Sequence, residues 1–119
     1  MAISGARTAG LVVTPSIRTS SATVDLGRRR LFIASMAVTW VDPLIDFDRD
    51  NAIAADIFTI DGVRTSIRAF GGDHFGPFGS SANVFQGSIF AFGQRISFFL
   101  RAFGPDVAAG AEGTVILAD

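Results

Sequence analysis

Ile57-Phe58-Thr59-Ile60-Asp61-Gly62-Val63-Arg64-Thr65-Ser66-Ile67 reads as two short strands joined by a tight turn. Asp-Gly supplies the two residues that most readily take positive φ, as a type I′ hairpin turn demands. A two-residue turn pairs Ile60 with Val63, Thr59 with Arg64 and Phe58 with Thr65. Directly opposed residues share a face, so Phe58, Ile60, Val63, Thr65 and Ile67 form an apolar side and Thr59, Arg64, Ser66 and Arg68 a polar one.

The same logic extends along the chain. Residues 9–14 form a short strand, and residues 18–26 alternate with Ala22, Val24 and Leu26 on one face. Residues 31–41 place Phe32, Ala34, Met36, Val38 and Trp40 on a wholly apolar face and a mixed set, including Leu31 and Ile33, on the other. Asp42-Pro43 ends that strand, because proline cannot continue a central ladder. Residues 44–54 are irregular, and Ala-Ile-Ala-Ala tolerates a short helical turn over residues 51–56. Residues 71–83 are a glycine-rich loop. Gly93-Gln94 fits a type II′ turn, which predicts a second hairpin. One face of it carries Phe85, Gly87, Ile89, Ala91, Ile96, Phe98, Leu100 and Ala102. The reverse face carries Phe90, Phe92, Phe99 and Phe103 with Arg95 and Arg101. Residues 113–118 form a last strand. Ile67-Arg68-Ala69-Phe70-Gly71-Gly72-Asp73 and Leu100-Arg101-Ala102-Phe103-Gly104-Pro105-Asp106 form a faint internal repeat, too short in number for a solenoid.

Composition supports strands over helices. The chain has ten Arg and no Lys, ten Asp and a single Glu, and Gln only at Gln86 and Gln94, so the usual fillers of exposed helix faces are nearly absent. The 12 Phe and 13 Gly suit strands and turns. The expected fold is a single all-β domain over residues 1–119: an antiparallel β-sandwich or jelly roll of about eight short strands, with a small β-barrel as alternative. Residues 1–16 read as a candidate N-terminal arm.

Function classes narrow by exclusion. The chain has no cysteine, so thiolate chemistry and sulfur ligation are absent. A net charge of −1 gives no global attraction for nucleic acid. Arg28-Arg29-Arg30, after Gly27, reads as a solvated turn. The apolar run Gly10-Leu11-Val12-Val13 is too short for a signal-peptide core, and no segment is long enough for a membrane helix. The expectation is cytoplasmic synthesis with no membrane contact. His74 is the lone histidine, beside Asp73 and near Ser80 and Ser81. Sequence neighbours rarely build a triad, whose members the fold brings together. Asp46, Asp48 and Asp50 alternate like the start of a calcium loop, but Asn51 stands where the turn glycine belongs and Ile57 where the bidentate Glu belongs. The reading is therefore no enzyme, no cofactor and no metal.

Apolar content points instead to association. Hydrophobic residues make up 49% of the chain and charged residues 18%, an excess that a small domain hides with difficulty inside one copy. Phe90, Phe92, Phe99 and Phe103 with Arg95 and Arg101 are the candidate interface, since Arg and Phe together are enriched at protein contacts. The functional expectation is a structural or assembly subunit, such as a virion decoration, capsid-associated or tail-associated protein, forming a homo-oligomer or larger assembly. The alternative is a carbohydrate-binding β-sandwich module, which usually presents Trp or Tyr platforms; this chain has one Trp and no Tyr. A small barrel enzyme with a hydrophobic pocket ranks third.

Overall fold

The computed structural model describes residues 3–41, 52–59, 64–70, 82–104 and 107–118. These form six strands: β1 (Ile3–Val13), β2 (Thr19–Val41), β3 (Ala52–Thr59), β4 (Arg64–Phe70), β5 (Ala82–Phe103) and β6 (Ala108–Ala118). Neighbours follow the order β1-β6-β2-β5-β3-β4, and every pairing is antiparallel. Ile3–Val13, within the stretch read as an arm, pairs along its length with β6.

Two strands dominate. β2 has 23 residues and β5 has 22. At about 3.3 Å per residue β2 would run about 75 Å if straight, yet the longest dimension of the molecule is 52 Å. The β2–β5 ladder therefore bends. The bend lies where Asp25 pairs with Arg95 and Arg30 with Gly93, so residues 26–29 of β2 bulge opposite Gln94 alone. On one side of it, residues 30–41 of β2 pair with β5, and residues 32–41 pair with β6 as well. On the other, residues 96–103 of β5 pair with β3. The result is two layers, β1-β6-β2-β5 and β2-β5-β3-β4, which share the long strands and face each other as a β-sandwich of jelly-roll type.

Apolar side chains of both layers meet in one core. Phe32, Ala34, Met36 and Val38 from the first layer and Ile96, Phe98 and Leu100 from the second are all fully buried. Phe98 crosses to the opposite layer and lies against Gly113, where a Cβ would sit 2.7 Å from ring carbons.

Several expectations change. The eight short strands are six, because 18–26 and 31–41 are one strand and so are the two arms of the expected second hairpin. There is no turn at Gly93-Gln94: β5 runs through it, held by β2 on both sides of the bend. Of the helical turn expected over residues 51–56, the described residues 52–56 are strand instead. Ala52–Thr59 is a strand flanked by β4 and β5, and a ladder on both edges outweighs the helical tolerance of alanine. The first hairpin forms, but one residue out of the expected register, with Phe58 opposite Arg64 and Ile57 opposite Thr65. Ile53, Ala55 and Ile57 are buried and Phe58 is exposed. The long-range pairing of Ile57 with Phe98 fixes which face of β3 meets the core. Asp61-Gly62, Ile60 and Val63 lie outside the described residues.

The internal repeat has a structural counterpart. Ile67 and Leu100 both oppose Ala55, Arg68 and Arg101 both oppose Ala54, and Phe70 and Phe103 both oppose Ala52. The two copies flank β3 in identical register.

Candidate protein-protein interface

β-Alternation places Phe90 and Phe92 of β5 outward, because Ile89 and Ala91 pack against the core. They are 56% and 50% exposed, far more than large aromatic side chains in a closed domain require. Their partners across the ladder are Ile33 and Leu31, on the face of β2 opposite the buried Phe32 and Ala34. Ile116 of β6 adjoins Ile33. The guanidinium of Arg29, in the bulge, stands 5.3 Å from the centre of the Phe92 ring. The outer face of the first layer therefore carries an aliphatic and aromatic patch capped by one cation.

Phe99 and Phe103 lie beyond the bend, on the outer face of the second layer. Phe103 is exposed and Phe99 half-buried. Arg101 places its guanidinium 4.6 Å from the Phe103 ring centre. Arg95 reaches its own chain: its Nε donates to Asp25 Oδ2 at 3.3 Å. The six residues grouped by sequence are thus all on outward surfaces, but the bend divides them between two layers. Leu31, Ile33, Ile116 and Arg29 join this surface only through strand pairing and the bulge. Leu31 and Ile33 were legible only as half of a mixed face, since the pairing with β5 that joins them to Phe92 and Phe90 spans more than fifty residues.

Asp25 organises the bend. Its Oδ1 accepts from the Gly27 N–H at 2.8 Å and from the Gln94 side-chain amide at 3.2 Å. The Gly27 N–H, then Gln94 and then Arg95 hold its carboxyl below the usual range. Gly27 has a φ of 80°, a left-handed conformation that favours glycine. Arg28 and Arg29 therefore belong to a bulge within a strand, and Arg30 resumes the ladder opposite Gly93, rather than forming a turn between strands.

A second feature of the first layer's outer face is an open trough of about 490 Å³. It is lined by Gly10, Val12, Ala37, Thr39, Gly110 and Glu112, with Glu112 between Gly10 and Ala37 and Gly110 between Val12 and Thr39. Among the described residues no three His, Cys, Asp or Glu side chains gather to hold a metal ion. Asp46, Asp48, Asp50 and His74 lie outside the described residues. No described helix is long and apolar enough to cross a membrane.

No protein-family model matches the sequence, and no curated protein matches it. The likeness to known proteins is in structure. The Drosophila NLP core, known for pentamer formation and histone binding, matches with a TM-score of 0.50 at 12% identity, covering 97% of this chain and 100% of that one. A triple jelly-roll protein from the turret assembly of an archaeal virus matches with a TM-score of 0.51 at 10% identity, covering 94% of this chain and 29% of that one. Dimeric latent PorU from Porphyromonas gingivalis matches with a TM-score of 0.52 at 7% identity, covering 99% of this chain and 13% of that one. At such identities the likeness is one of fold.

Proposed function

We propose that the chain is a non-enzymatic structural subunit that works by packing against copies of itself. The observation that carries this reading is the pair of half-exposed rings Phe90 and Phe92, continuous with Ile33 and Leu31. An aromatic side chain buries about 150–250 Å² when fully covered. Covering the exposed halves of both rings removes roughly 200 Å² from water, about 5 kcal/mol at 25 cal/mol per Å². That is a useful share of the 4–15 kcal/mol or so that association costs in lost freedom, with the flanking aliphatic side chains adding to it.

The same architecture serves a pentamer-forming core and a virus turret protein. A jelly roll of this size is thus suited to a closed ring or a larger shell, and a virion-associated role is the natural extension of the reading. The test is a double substitution, Phe90→Asp with Phe92→Asp, followed by light scattering and far-ultraviolet circular dichroism. The parent is expected as an oligomer and the variant as a folded monomer of 12.5 kDa. A monomeric parent, or a variant with the parent's mass, contradicts the proposal.

A further inference from the structure

Among the described residues nothing requires glycine at Gly10 or Gly110. Neither has a positive φ of the kind seen at Gly27, and among the described residues nothing lies within 4 Å of a Cβ built on either. Gly113, three pairs along from Gly110, differs: there a Cβ would strike Phe98. Glycine weakens a strand interior, and away from a bulge or bend its recurring use is to let another backbone or ligand approach closely. Both glycines face outward, and with Ala37 they line the trough.

Trough and aromatic patch share one surface and lie at its opposite corners. Phe92 stands opposite Leu31, and Gly110 opposite Thr39, eight residues further along β2 and on its other side. A projection and a recess on one face are the two halves of a self-complementary contact. Resting on the reading that the chain self-associates, we propose that the occupant of the trough is the Phe90–Phe92 edge of a second copy. A two-fold axis in the plane of the face, passing near Ser35, makes this contact twice and closes a dimer.

Charge and area agree with that occupant. Arg29 rides on Phe92, and Glu112, the sole Glu of the chain, borders the trough, so docking brings opposite charges together at both ends. Four strands at about 4.8 Å spacing and about 12 residues of strand make a face about 19 Å by about 40 Å. That matches the roughly 800 Å² per partner of a standard interface.

The cysteine-free chain allows a direct test. Phe92→Cys and Gly110→Cys are made singly and together, oxidised mildly, and run without reductant. Within one copy the two sites are about 26 Å apart along the strands, far beyond the roughly 4.4–6.8 Å between Cα atoms that a disulfide spans. The double variant is expected to give a covalent dimer and each single variant none. Gly110→Leu, which fills the trough without touching the core, is expected to raise the dimer dissociation constant at least about tenfold. An assembly that forms without the cross-link, or that ignores Gly110→Leu, overturns this arrangement and leaves self-association standing. A ladder beyond dimer overturns the two-fold closure. A parent that is monomeric throughout removes the underlying reading and this one with it.

Discussion

The ring of Phe98 lies face-on against the backbone of Gly113, one from each layer of the sandwich, with Cδ1, Cε1 and Cδ2 all 2.7–2.8 Å from where a Cβ would stand. Phe98 is fully buried, so the ring has no solvent to retreat into. The distance between the layers at this point is set by a side chain on one strand and the lack of one on another.

Gly113→Ala is therefore expected to destabilise the protein by about 1–3 kcal/mol, the usual cost of overpacking. Gly110→Ala, three residues away on the same strand, is expected to change stability by less than about 0.5 kcal/mol, or to raise it slightly. Urea midpoints compare the two. Equal effects would show that Phe98 does not set the spacing.

Arg18 ties three segments together. Its guanidinium donates to the carbonyl oxygens of Thr14 at 3.2 Å and Val107 at 3.5 Å, and to that of Gly104. Its own carbonyl accepts from the Ala102 N–H at 2.9 Å. Lysine lacks the planar fork that reaches several carbonyls at once. Arg18→Lys is expected to cost about 1–2 kcal/mol in urea unfolding; an unchanged midpoint would show that the fork contributes nothing.

Gly27 carries the left-handed residue of the bend, and no described atom lies within 4 Å of where its Cβ would stand. Any cost of adding a side chain there is conformational rather than steric. Gly27→Ala is expected to lose about 1–2 kcal/mol, whereas Gly10→Ala, equally open but of ordinary φ, is not. The pair isolates backbone strain, and identical denaturation curves for the two variants contradict it.

Asp25 makes acid stability depend on the bend. Its folded pKa is lowered, first by the Gly27 N–H and then by Gln94 and Arg95, from an ordinary value of 3.8. A depressed carboxylate contributes stability that is complete above its unfolded pKa and lost as pH falls through the folded one. Unfolding midpoints of the parent should decline below about pH 4. Asp25→Asn should flatten part of that decline, and the effect is small because the site is exposed. A variant whose acid profile overlays the parent's contradicts the assignment.

Alternation made the buried faces legible. Phe32, Ala34, Met36 and Val38 are where the period-two pattern puts them, and so are Ile96, Phe98 and Leu100. The second hairpin shows why a correct face does not guarantee a correct topology. A two-residue turn at Gly93-Gln94 and a bulge at Gln94 both switch the inward side from odd to even residues, so the local sequence is the same for either. What decides between them is β2, whose residues 26–29 supply the other half of the bulge from far along the chain.

The slip at the first hairpin has the same cause. Asp61-Gly62 states a local preference, while β3 is held against β5 by Ile57 opposite Phe98 and Ala55 opposite Leu100. Burial of that face outweighs turn chemistry. The interface residues divide likewise: Phe90 and Phe92 could be named from alternation, but the partners that make them a continuous patch arrive only through strand pairing.

The most direct measurement of the central claim is the solution mass of the unmodified protein by sedimentation equilibrium over a range of concentrations. Self-association through the Phe90–Phe92 face gives a mass of at least two chains, falling toward 12.5 kDa only on dilution. A mass of 12.5 kDa at every concentration contradicts it.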